Sequence, residues 1–284
     1  MILVANTKTI SPILVLIIKH AIWHVFCFHE AVNLSLYENA SALRGLEQYQ
    51  NVIANNIAAS HVAGFKKVAV SFEAVEGGEI ARSTHDRLRN EMPGSFPVMK
   101  NQVDFNEGEM KETSNPMDLA LRGDGFFALL NQNGDSVYTR DGQFYVDSQG
   151  VMVNSMGHQF SDDGGANIQT IPGGGDLTID KEGQIFQGNQ NVGKLGVFTF
   201  ENPLMDLQKV GGGFVAKDAE KTPEISDPSK FTVMQGYLES SNVSAIQEMI
   251  GLIEVSRAHE ANQKMIQTFD QNIGKAIGTL GQTQ

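Results

Sequence analysis

The feature that most constrains this chain lies near its carboxy end. There Leu252, Val255, His259, Asn262, Ile266, Phe269, Ile273, Ala276 and Leu280 recur at alternating spacings of three and four. Such alternation holds a narrow stripe on one helix face over many turns, and a seam two residues wide is what a partner helix buries. Ser244 to Gln247 fits the capping-box pattern, with Asn242 as a competing cap, so the helix is predicted from about there to the neighbourhood of Gly278. At ~1.5 Å per residue it runs roughly 50 Å, too long to be covered by a small β domain. A second helix is the expected cover, and the other end of the chain offers one. Ser35 to Glu38 is a capping box, and Leu36, Ala40, Leu43, Glu47, Gln50, Ala54 and Ile57 continue at the same spacings, with Leu46 and Ile53 beside them. The competing expectation is an ordinary amphipathic helix lying on a sheet.

Between these ends the texture changes to short β-prone runs separated by turn dipeptides: Asp124-Gly125, Asn133-Gly134, Asp141-Gly142 and Gly164-Gly165. Strands are predicted at 126–130, 137–139, 144–146, 151–153, 177–180, 185–186 and 195–200. The turn Asp147 to Gly150 is repeated in form at Asp180 to Gly183. The 29 glycines agree with a chain rich in tight turns. Residues 67–117, with Pro93, Pro97 and Pro116, read as an extended connection carrying one or two edge strands. The fold class is therefore α+β: two terminal helices pairing as a coiled-coil-like α domain around a central antiparallel β domain.

Charge and cysteine content narrow the functions. Against 33 Asp plus Glu stand 21 Lys plus Arg, a formal net charge of −12, which removes the basic surface that phosphate neutralisation requires; nucleic acid is excluded as an expected partner. A single cysteine closes no internal disulfide and builds no cysteine-rich zinc site. Residues 1–31 stand apart, holding the only tryptophan (Trp23), the only cysteine (Cys27) and three of the seven histidines. Their apolar run lacks an A-x-A cleavage site, and Lys19, His20 and His24 interrupt it, so stable membrane insertion is not expected. The segment reads as a non-native extension or a mis-assigned start, with the native chain beginning near Val32.

The constellations that resemble chemistry have plainer readings. Arg122-Gly123-Asp124 runs into a turn, and Cys27 with His29 lacks a third orienting group. The glycine triplets at 173–175 and 211–213 follow no strand-to-helix phosphate signature. The acidic residues fall mainly in predicted turns and do not converge as acid/base pairs. No catalytic residue, cofactor or metal ligand is assigned. The competing function classes are a secreted β-domain enzyme or carbohydrate binder with helical tails, and a membrane-anchored periplasmic adaptor.

Three ordered blocks carry a resemblance. ANNIAASHVAGFKK, from Ala54, resembles the motif that follows the first helix in flagellar rod and hook proteins, with Ala59 where a further Asn is usual and Val62 where Thr is. NPMDLALRGDGFFALL, from Asn115, and YTRDGQFYVDSQGVMVNSMGH, from Tyr138, are similar to the central β domain of the rod subgroup. The segment from Met234 looks like the family's carboxy-terminal helix, with His259 at a position that is more often aromatic. The resemblance implies a basal-body rod subunit, exported without a cleaved signal into the periplasm-spanning rod. Its partners would be copies of itself, other rod proteins and the flagellar export apparatus. The short connection from Lys67 to Asn115 favours the proximal-rod type over the distal-rod type. At the sequence level the chain divides into 1–31, a helix and motif over 32–66, the connection 67–117, the β domain 118–235 and the terminal helix 236–284. The predicted assembly interface comprises Leu36, Leu43, Ile53, Asn55, Asn56, Ile57, Gly64, Phe65, Asn242, Ile253, His259, Asn262, Ile266, Phe269 and Ile273.

Overall fold

A computed structural model describes residues 39–76, 95–218 and 223–281. Residues 1–31, the capping box at Ser35 to Glu38, Leu36 within it, and the Leu280 side chain lie outside the described residues.

The chain opens with helix α1 over 39–58, followed by strands β1 (Val68–Glu76), β2 (Ser95–Val103), β3 (Met110–Glu112), β4 (Asp118–Gly123), β5 (Phe126–Leu130) and β6 (Ser136–Thr139). Then come β7 (Gly142–Gln143), β8 (Tyr145–Val146), β9 (Met152–Val153), β10 (Gln159–Phe160), β11 (Leu177–Ile179), β12 (Gln184–Gln187), β13 (Gln190–Lys194) and β14 (Val197–Thr199). A single helical turn, α2 (Pro203–Asp206), leads to β15 (Leu207–Val210), β16 (Gly213–Ala216), β17 (Glu224–Ile225), β18 (Phe231–Gln235) and β19 (Tyr237–Glu239). The last element is α3, Ala245–Gly281, 37 residues long.

These elements fall into two compact units. One takes in the described parts of Met1–Gln50, Ser71–Lys100 and Ile253–Gln284. In it α1 and α3 exchange polar contacts, Gln50 Nε2 donating to Ser256 Oγ at 3.4 Å and His259 Nε2 lying 3.8 Å from Glu47 Oε1. Tyr49 meets Phe72 of β1 edge to face at 5.9 Å, and Lys100 of β2 pairs with Glu73 of β1.

The other unit, Asn51–Val70 with Asn101–Leu252, holds the β body. Its largest sheet runs β15-β16-β6-β5-β10-β9-β8, with β14 also on β5 and β17 on β14. Smaller sheets are β11-β12-β13, β18-β4-β7 and β19-β3, and the pairings are antiparallel. Strand β5 is buried on both faces, which is why Phe126-Phe127-Ala128-Leu129 is continuously apolar and not alternating. Phe127 and Leu129 enter one core with Leu119, Leu121, Phe144, Met152, Phe160, Ile185, Leu195 and Phe231; Phe126 and Ala128 enter a second with Tyr138, Phe200, Leu207 and Phe214.

One turn chemistry is used five times. Asn131, Asp147, Asn154, Asp162 and Asp180 each accept, through one side-chain oxygen, the backbone N–H groups two and four residues on. Three residues after each stands a glycine with φ between +79° and +87°. The side chain does the work of a backbone acceptor and the glycine supplies the left-handed residue that reverses the chain.

Two of the predicted hairpins are absent. Asp124-Gly125 and Asp141-Gly142 do not join neighbouring strands of one sheet. The first carries the chain from β4, which pairs with β18 and β7, to β5, which pairs with β6, β10 and β14; the second carries it from β6 to β7. The Asp124 N–H is taken by Lys230 O at 3.3 Å, so the dipeptide turns the chain between layers. Asn242, expected as a cap of the last helix, spends its side chain elsewhere, as described next.

Candidate functional site

Where α1 gives way to the β body, and β19 to α3, the second unit contains an enclosed set of charged and amide side chains. After α1 the chain turns through 59–67, and Gly64 sits at φ +65° with its N–H donating to Glu239 O at 2.8 Å. A Cβ there would lie 2.2 Å from Asp141 N, so only glycine lets this backbone touch the Arg140–Asp141 peptide. Lys66 and Glu239, each 1% exposed, pair at 2.6 Å. Lys66 Nζ also donates to Asn106 O at 2.7 Å, while Glu239 accepts from Gly108 N at 2.9 Å and from Arg140 Nη1 at 3.3 Å. Arg140 donates further to Leu121 O and Gly123 O, and its guanidinium lies over Phe126 at 5.2 Å. Its Nε is buried with no hydrogen-bond partner among the described residues.

Two amides complete the junction. Asn56, 1% exposed, donates to Val68 O and to Glu248 Oε2 while accepting from Val68 N; Glu248 in turn pairs with Lys67 at 2.6 Å. Asn242 accepts from Lys67 N at 2.7 Å and donates to Asp104 O and Asn106 O. Residues adjoining both terminal helices are thus tied to the β body by hydrogen bonds made mainly to backbone. Burial lowers the Lys66 pKa, against the opposing pull of Glu239, and raises that of Asp141. Among the described residues no cluster of three or more His, Cys, Asp or Glu could hold a metal ion, and no helix is long and apolar enough to cross a membrane.

The residues named from sequence separate into two groups. Asn56, Gly64 and Asn242 lie within this junction, and Ile53 is buried at 2% exposure. Ile57 and Phe65 are half-buried and Asn55 is exposed. On α3, Val255 is buried and His259, Asn262, Ile266, Phe269 and Ile273 are half-buried; from 253 to 274 only these and Ser256 are not exposed. Leu43 of α1 is half-buried too. Ile253 departs from the group: one residue off the stripe, it is 55% exposed. Ile246, Met249 and Ile250 are likewise 72%, 49% and 53% exposed, giving the start of α3 a second apolar face. Sequence reasoning did not find Lys66, Arg140, Glu239 or Glu248. The one available signal was the Lys66-Lys67 pair closing the first motif block.

Comparison with known proteins bears on the same elements. The family described as "Flagellar basal body rod FlgEFG protein C-terminal" matches residues 234–279, which run from β18 through most of α3. The "Flagellar hook protein FlgE/F/G D1 domain" matches 120–187, the heart of the β body. The flagellar basal-body rod protein FlgF of Mesorhizobium japonicum is 33% identical over 249 residues, covering 87% of this chain and 98% of that protein. The chain belongs to the flagellar basal-body rod family. FlgF of Caulobacter vibrioides is 32% identical, over 87% of this chain and 98% of its own length. FlgG of Borreliella burgdorferi is 30% identical, over 85% and 97%. Proteins of this family are structural components of the flagellar basal body and not enzymes.

Proposed function

We propose that the protein is an axial rod subunit that polymerises through its terminal helices into the shaft carrying torque from motor to hook. The observation that carries this is the state of the α3 stripe: beyond Val255 it is the least exposed part of the helix, yet none of its side chains is fully covered within one chain. A stripe left half-covered, with a second apolar face at Ile246, Met249 and Ile250, leaves area for neighbouring subunits to bury. The helices then pair in coiled-coil fashion, and Leu43, Ile57 and the α3 stripe form the contact surface. Copies of the same chain and other rod proteins are the partners, and the subunit reaches the rod through the flagellar export apparatus. Identities of 33% and 32% to FlgF proteins against 30% to FlgG favour the proximal rod. Imaging basal bodies from cells lacking the protein tests this: rods should be truncated near the motor, and complete rods bearing hooks would overturn the reading.

A further inference from the structure

Of the five repeated turns, the one between β5 and β6 is alone in placing an asparagine just before the left-handed glycine. In the other four that position is held by Gln149, Met156, Gly164 and Glu182; here it is Asn133, in the sole Asn-Gly dipeptide of the chain. Asn133, Gly134 and Asp135 are exposed, and Gly134 stands at φ +87° with open space where a Cβ would be. By contrast, a Cβ on Gly125 or Gly142, the glycines of two Asp-Gly dipeptides, would lie 2.8 Å from Ser226 Oγ or 2.0 Å from Leu119 O. The neighbouring amide is engaged: Asn131 Oδ1 accepts from Asn133 N at 2.8 Å and from Asp135 N at 2.9 Å, and its Nδ2 donates to Asp135 Oδ2 at 3.1 Å. The Asn133 side chain makes no hydrogen bond among the described residues. One contact restrains its surroundings, the Gly134 N–H donating to Asn131 O at 3.0 Å.

We propose that Asn133 is a site of spontaneous deamidation, with water as the co-reactant and the turn closed by Asn131 as its brake. The backbone nitrogen of Gly134 gives up its proton to solvent and forms a bond to Asn133 Cγ. The Cγ–Nδ2 bond then breaks, and the nitrogen leaves with that electron pair, takes up a proton and departs as ammonia. Water opens the resulting five-membered imide at either carbonyl. Attack at Cγ gives aspartate in normal linkage; attack at the main-chain carbonyl carbon gives isoaspartate, whose backbone runs through the side chain. Glycine at the attacking position puts no side chain in the way of ring closure. Ring closure takes the Gly134 nitrogen away from Asn131 O, so the turn must open first, and an exposed hairpin tip lies at the low-cost end of local unfolding. The product sets a new carboxylate two residues from Asp135, and isoaspartate adds a carbon to the backbone of the loop joining β5 to β6.

The test is the full chain held in mildly alkaline buffer, with conversion of each asparagine followed over days by peptide mass spectrometry and electron-transfer fragmentation separating aspartate from isoaspartate. Asn131 and Asn154, whose side chains are both committed to turns of this kind, are the internal references. Asn133 should convert at least about tenfold faster than either, with isoaspartate exceeding aspartate. A rate no greater than theirs would overturn the proposal. Asn131→Ala removes the acceptor for Asn133 N and Asp135 N, frees the turn to open, and should raise the Asn133 rate at least about threefold. An unchanged rate in that variant would show that the turn is not the brake.

Discussion

At the scale of single residues, Glu239 holds the junction together, because it is the sole carboxylate contacting both Lys66 and Arg140 among the described residues. Glu239→Gln keeps the shape and still accepts from Gly108 N, but strands two buried cations. Urea unfolding should show a loss of about 3 to 5 kcal/mol, and a loss under 1 kcal/mol would mean the charges are solvated after all. Adding Lys66→Met to Glu239→Gln should recover part of it, since one stranded charge is removed. Lys209 supplies a pH signature. Its folded pKa of about 8 lies below the ordinary 10.5, so between those values the unfolded chain binds more protons and stability rises with pH; below about 8 the cost of the desolvated ammonium is fully present. The melting temperature of the wild type relative to Lys209→Met should therefore climb from about pH 8 to pH 10. A flat difference would place Lys209 in water.

At the scale of elements, the repeated turn makes a sharp prediction. Asp180 accepts from Glu182 N and Gln184 N, and Asn offers the same oxygen. Asp180→Asn should be nearly neutral and Asp180→Ala should cost about 1 kcal/mol or more in thermal unfolding, while equal effects would deny the side chain its role as acceptor. How far the sequence disclosed the elements follows from what each depends on. The last helix was legible because its period needs only residue types, and Ala245–Gly281 lies close to the predicted span. The turns at Asp147 and Asp180 were legible for the same reason, yet Asn154 and Asp162 use identical geometry and were not read as such turns. Asp124-Gly125 misled because a turn dipeptide fixes local dihedrals and not the strand that comes next. The junction was illegible in a stronger sense: Lys66 and Glu239 lie 173 positions apart, and no local pattern marks two charges as each other's buried partner.

At the scale of the whole molecule, the central claim is that the carboxy-terminal stripe is an assembly surface and not the core of a self-sufficient subunit. Ile266 and Phe269 lie on that stripe, three residues apart and half-buried. Were they core residues, truncating each would cost about 2 to 5 kcal/mol and the purified protein would melt markedly lower. The measurement that separates the alternatives is calorimetry of the Ile266→Ala, Phe269→Ala double variant beside immunoblotting of isolated basal bodies. The expected result is a β-body transition within about 2 °C of wild type and no incorporation into basal bodies. A large fall in that transition, or normal incorporation of the double variant, would contradict it.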